Sequence, residues 1–62
     1  MIKIIVHIKG VSEPYSYKTL MGLKEVYYYW RHHAKLTGNV IELPDHGIRI
    51  TSHGAERIEK HD

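Results

Sequence analysis

The chain has 62 residues, nine Lys plus Arg against seven Asp plus Glu, and no cysteine, which gives a formal net charge of +2. This length predicts one small domain over residues 1–62 with a thin core, because so short a chain buries only about 60% of the surface that its unfolded form exposes. The composition excludes disulfides and thiolate metal sites, and the weak charge disfavours a dedicated nucleic-acid coat protein.

The N-terminal segment alternates between apolar and mostly polar residues. One set is Ile2, Ile4, Val6 and Ile8, and the other is Lys3, Ile5, His7 and Lys9. A period of two predicts a half-buried strand whose first set faces the core. A turn signal at residues 12–14 and renewed alternation over residues 15–19 predict a second strand that forms a hairpin with the first.

The run KEVYYYWRHHAKL at residues 24–36 is rich in aromatic residues. As a strand it would place large rings on both faces, and a domain of this size has no second layer to cover both. At about 100° per residue, one continuous apolar arc forms instead, made of Leu20, Leu23, Val26, Tyr27, Trp30 and Ala34. We therefore predict a helix over residues 23–36 that buries all of these from Leu23 onward, begins after Thr19 or Gly22, and ends at Gly38.

The C-terminal part carries two further strand patterns. Residues 40–43 and 48–51 flank the turn sequence Pro44-Asp45-His46-Gly47 and predict a second hairpin. After a turn at His53-Gly54, residues 55–61 fit either a third strand of that sheet or a short helix. The order ββαββ predicts an α+β fold in two layers, with one helix packed on one face of a small antiparallel sheet.

Two layers leave the other sheet face uncovered. This face is expected to show Lys3, Ile5, His7, Lys9, Arg49 and Thr51. Cations mixed with an apolar residue form a candidate surface for RNA or for a protein partner. The alternative is a solvated face with one exposed isoleucine, which is common in antiparallel sheets.

A second candidate surface lies along one edge of the predicted helix. It comprises Lys24, Tyr28, Arg31, His32 and Lys35, which we predict to be partner-binding residues. Cations in a line can contact phosphates, and tyrosine can stack on a base or anchor a protein interface. The alternative is a solvated helix face with amphipathic lysines.

Catalysis and metal binding find little support in the sequence. Six histidines are present, but their spacing matches no metal motif, and His46 and His53 each precede a glycine in a predicted turn. No phosphate-binding glycine loop or nucleophile motif occurs. We predict no enzymatic activity, no metal site and no cofactor.

These exclusions favour a small non-enzymatic binding protein that docks on a larger protein as an inhibitor or adaptor. The alternative is a small nucleic-acid-binding protein that uses the helix edge and the sheet face. No apolar run approaches the roughly 20 residues that cross a bilayer, so we expect no membrane association. The absence of cysteine suits the reducing cytoplasm, and a homodimer would enlarge the thin core.

Overall fold

A computed structural model describes residues 1–58 as a five-stranded antiparallel sheet with one helix on one face. The two-layer α+β prediction is confirmed, and β5 adds one strand to the ββαββ order. In chain order the elements are β1 (Ile2–His7), β2 (Tyr15–Thr19), α1 (Leu23–Thr37), β3 (Val40–Leu43), a 3₁₀ turn (Pro44–His46), β4 (Ile48–Thr51) and β5 (Gly54–Arg57).

The strands lie in the order β2-β1-β3-β4-β5, with both predicted hairpins present. The helix connects the hairpins, and β3 returns beside β1 with Val6 opposite Ile41. Ile41 in turn lies opposite Ile50. Because opposed residues share a face, these three side chains form one apolar row beneath the helix.

The core consists of apolar side chains from both layers. The sheet contributes five of the eight buried residues, and α1 contributes Val26, Trp30 and Ala34, spaced four residues apart. This spacing keeps successive side chains on one helix face. The buried hydrophobic residues are Ile4, Val6, Val26, Trp30, Ala34, Ile41, Leu43 and Ile50.

The two ends of the helix differ in how they are capped. Gly38 adopts φ 79°, and its backbone N–H donates to the Ala34 carbonyl at 2.8 Å. This left-handed geometry explains why glycine stands at the predicted end. At the start, Gly22 occupies the N-cap position without a side-chain cap. Thr19 is not the cap, since its hydroxyl oxygen accepts the Met21 N–H at 3.2 Å.

Three burial predictions are wrong, those for Leu23, Ile8 and Tyr27. Leu23 is 41% exposed, and Leu20, which belongs to the apolar arc but was not predicted to be buried, is 88% exposed. Leu20 lies before the helix begins, and Leu23 is its first residue, so the apolar arc meets the sheet only one turn later, at Val26. Ile8 is 41% exposed because β1 ends at His7, and the alternation no longer directs it toward the core. Tyr27 is half-buried against the core rather than fully buried.

For residues 55–61 the sequence allowed either a strand or a short helix. Within the residues that the structure describes, this segment forms strand β5. Ala55 lies opposite Ile50 of β4. The Ile58 N–H donates to the Gly47 carbonyl at 2.9 Å. The remainder of that segment, residues 59–61, lies outside the described residues.

Candidate interaction surface

The uncovered sheet face contains most of the residues predicted for it. Lys3, Ile5, His7, Arg49 and Thr51 alternate with the buried strand residues and so lie on the side away from the helix. The remaining predicted residue, Lys9, is exposed beyond the end of β1, where its backbone N–H donates to the Asn39 side-chain oxygen at 3.0 Å.

Two carboxylates that the sequence reasoning missed change the character of this face. Glu42 lies opposite both Ile5 and Arg49, and Glu56 lies opposite Arg49. A ring nitrogen of His7 contacts one Glu42 oxygen, and Arg49 lies 3.6 Å from the other. Arg49 also lies 3.4 Å from Glu56. The period of two within β3 and β5 was the signal that could have placed both carboxylates here.

The resulting line of charges crosses β1, β3, β4 and β5. We call it the sheet charge line, defined by His7, Glu42, Arg49 and Glu56. Its cation Arg49 already has carboxylate partners, which lowers the attraction of the face for phosphate. Elsewhere on this face Lys3 lies directly opposite Lys18.

The helix edge presents all five of its predicted residues to solvent. Lys24, Arg31, His32 and Lys35 are exposed, and Tyr28 is 58% exposed. The ion pairs found within residues 1–58 all belong to the sheet charge line, and none involves the cations of this edge.

The position of the Arg31 side chain is set by the residue one turn earlier. Its Nη1 donates to the Tyr27 hydroxyl at 3.4 Å, and its guanidinium carbon lies 5.9 Å from the centre of the Tyr27 ring. A cation held over an aromatic face gains a modest electrostatic attraction. These contacts place the Arg31 guanidinium beside Tyr27 at the edge of the helix.

Apolar side chains also occupy the solvent side of α1. Tyr28, Tyr29 and Leu36 are 58%, 51% and 73% exposed. Tyr28, His32 and Leu36 follow one another about one helical turn apart, so His32 lies between Tyr28 and Leu36 on the helix surface. We call Tyr28, Tyr29, His32 and Leu36 the outer helix surface. Sequence reasoning chose Tyr28 and His32 but omitted Tyr29 and Leu36, which fall outside the buried arc.

An aromatic cluster joins the helix to strand β2. The ring of Trp30 lies 6.1 Å from Tyr17 and 5.0 Å from Tyr29, and Tyr17 lies 5.5 Å from Tyr15. His33 meets the edge of Trp30 at 4.9 Å. Sequence reasoning did not foresee this cluster. The signal was the Tyr-Ser-Tyr alternation of β2, which puts both tyrosines on the helix side once the hairpin forms.

The hydroxyl of Tyr17 lies within this cluster and is partly buried. Burial raises the pKa of its hydroxyl above the ordinary value of 10.0, and the nearby Tyr29 and Tyr15 raise it further. A hydrogen bond with the Trp30 side chain acts in the opposite direction. The cluster therefore favours the neutral phenol of Tyr17.

The described histidines occupy separate surroundings. His7 lies against Glu42, and His33 lies 3.2 Å from the Asn39 amide. His46 belongs to the 3₁₀ turn, and His53 belongs to the β4–β5 turn. Within residues 1–58, no three His, Asp or Glu side chains come close enough together to hold a metal ion.

Comparison of the chain with family models, with curated proteins and with solved structures finds no match. The part of the chain that the structure describes contains no helix long and apolar enough to cross a membrane.

Proposed function

We propose that this is a small non-enzymatic binding protein that docks on a larger protein, as an inhibitor or adaptor, through the outer helix surface. The observation that supports this most is the exposure of Tyr28, Tyr29 and Leu36 by half or more on the solvent side of α1. The solvent side of a helix in a monomer is usually polar. Grouped aromatic and aliphatic side chains are instead typical of interfaces.

The charges around this surface indicate the chemistry of the partner. Lys24, Arg31 and Lys35 are exposed along one edge of it. An interface commonly has an apolar centre and a polar rim. The complementary partner would present an apolar patch with carboxylates along the matching side, and Tyr28 and Arg31 would act as anchors.

Nucleic-acid binding is the competing function, since the same three cations could contact phosphates. The sheet charge line argues against it, because Arg49 is matched there by Glu42 and Glu56. Of the cations on that face, Lys3 and Lys18 lie outside the line. The absence of cysteine further suits a role in the reducing cytoplasm.

Cross-linked affinity capture from a lysate of the cells that produce the protein tests the docking proposal. The bait is the full chain, compared with a Tyr28→Ala/Leu36→Ser variant and with a Lys3→Ala/Lys18→Ala control on the sheet face. We expect one protein to be retained by the wild type and by the control, to be lost with the helix variant, and to survive nuclease treatment.

Each other outcome has a definite meaning. Capture that disappears with nuclease, or that falls steeply with salt at a slope near −0.9 per phosphate contact, would favour the nucleic-acid function. Capture that depends on Lys3 and Lys18 but not on Tyr28 would move the interface to the sheet and contradict the proposal.

A further inference from the structure

A depression of about 180 Å³ lies between the C-terminal half of α1 and the β4–β5 turn. Its lining comprises Arg31, Lys35, Thr51, Ser52, His53 and Gly54. The helix contributes the two cations, which are one turn apart and so project to the same side. The turn contributes the Ser52 hydroxyl and the His53 imidazole, whereas the Thr51 hydroxyl is engaged within the turn.

No carboxylate of residues 1–58 lines this depression. Glu42 and Glu56 are held in the sheet charge line on the opposite side of the sheet. The other described carboxylates belong to the β1–β2 turn, the first turn of α1 and the 3₁₀ turn. The local field therefore favours an anion although the whole chain is nearly neutral.

Several groups of the depression are already positioned. Arg31 contacts the hydroxyl and the ring of Tyr27. Thr51 shapes the turn, since its hydroxyl donates to the Gly54 carbonyl at 3.1 Å and accepts the His53 N–H at 3.2 Å. The backbone of the turn and one of the two cations thus have defined positions before a ligand binds.

We propose that this depression binds one phosphate group with at most one ester bond, either as a monoester or as free phosphate. Such a group has a charge of about −1.5 to −2 and three acceptor oxygens, which match the guanidinium, the ammonium and the Ser52 hydroxyl. The volume is below the roughly 300 Å³ of sites that enclose drug-sized ligands, so the depression takes a group rather than a whole molecule.

The phosphate could belong to a phosphorylated side chain or to a small free compound. Both share the same chemistry at the site. The depression lies beside the outer helix surface and shares Arg31 and Lys35 with its rim, but the inference does not require the docking proposal. It can therefore be tested without any protein partner.

The test is a titration of the ¹⁵N-labelled full chain, followed by NMR at constant ionic strength. The probes are inorganic phosphate, O-phosphoserine and dimethyl phosphate. We expect saturable shifts centred on the backbone of Ser52, His53 and Gly54 with the first two probes. The Arg31→Gln/Lys35→Gln variant should weaken binding by at least about tenfold, as expected when charge-assisted contacts are lost.

Lys24→Gln is the matched control, because Lys24 lies on the same helix edge but does not line the depression. It should leave the affinity unchanged. Tighter binding of O-phosphoserine would identify a phosphorylated side chain as the source, and tighter binding of inorganic phosphate would identify a small free compound; both support the site.

Three results would overturn the inference. The first is a shift that grows linearly with phosphate and does not saturate. The second is an equal loss of binding in the Lys24→Gln control, which would indicate diffuse attraction to the helix charges. The third is equally strong binding of dimethyl phosphate, a monoanion, which would indicate a nucleic-acid backbone contact instead.

Discussion

Tyr17 is the residue through which strand β2 and the helix share one aromatic cluster. Its ring lies between Tyr15 of the same strand and Trp30 of the helix, and its hydroxyl is partly withdrawn from water. Because burial favours the neutral phenol, the pKa of Tyr17 lies above the value of 10.0 that it has in an unfolded chain. Ionisation of this group is thus coupled to folding.

The sign of this coupling defines an alkaline effect on stability. The contribution of Tyr17 is complete below about pH 10 and falls as the pH rises through its folded-state pKa. We predict that the wild type loses more stability than Tyr17→Phe between about pH 8 and about pH 11. Urea denaturation at both pH values measures the difference. An equal decline in the two proteins would show that Tyr17 ionises as easily when folded.

One glycine flanks each end of helix α1, and the two glycines differ in backbone conformation. Gly22 has φ −70° and ψ 159°, which any residue adopts, whereas Gly38 has φ 79°. A Cβ added at either position would meet no heavy atom within 4 Å. Substitution at the two sites therefore differs through backbone conformation and position relative to the helix dipole, not through packing.

The same substitution should act in opposite directions at these two positions. Gly22→Asp supplies the missing N-cap acceptor and a negative charge at the N-terminus, so we expect a gain of about 0.5 kcal/mol. Gly38→Asp strains the left-handed position and places that charge at the C-terminus, so we expect a loss of about 1 kcal/mol or more. Thermal denaturation measures both, and effects of the same sign would contradict the assignment of the caps.

The sheet charge line makes a separate prediction at the level of the strands. Glu42 is central to it, with its side chain only 21% exposed and in contact with both His7 and Arg49. Glu42→Gln should lower the free energy of unfolding by about 1 kcal/mol, because one charge-assisted network loses its shared carboxylate. Glu13→Gln in the exposed β1–β2 turn is the control, with almost no expected change. Equal changes in the free energy of unfolding in the two variants would mean that the ion pairs of Glu42 do not stabilise the fold.

The helix and strands could be predicted from the sequence wherever one strong local pattern was present. Alternation predicted the bounds of β2 and β4, a short strand-like run before a turn predicted β3, and the apolar arc with Gly38 predicted the helix. The pairing of Glu42 with Arg49 was missed because it depends on the register between strands. The exposure of Leu23 was missed because it depends on where the helix meets the sheet. Both are tertiary facts that local periodicity does not contain.

Leu36 shows the same limit for the candidate surface. The apolar arc predicted correctly that Tyr28 and Arg31 would be exposed. It gave no reason to select Leu36, which lies outside the arc and is 73% exposed. Likewise, the approach of the β4–β5 turn to Lys35 arises from the packing of the helix across β4. Sites made by two elements that are distant in sequence require the fold.

At the level of the whole molecule, self-association stays a prediction. The sheet has β2 and β5 as its edge strands, and β2 carries one charged residue, Lys18. Lightly charged edges can pair with another chain. We predict concentration-dependent association in sedimentation velocity experiments that is weakened by Ser16→Lys on β2 but not by Thr37→Lys on the helix. A strict monomer at high micromolar concentration would contradict it.

The most direct test of the docking surface is an NMR spectrum of the ¹⁵N-labelled chain in host lysate, before and after nuclease treatment. Docking on a larger protein should broaden the amide signals of Tyr28, His32 and Leu36 first, because their environment changes and the complex tumbles slowly. The broadening should survive nuclease and disappear in the Tyr28→Ala/Leu36→Ser variant. Uniformly sharp signals, broadening centred on Lys3 and Lys18, or recovery after nuclease would contradict the account.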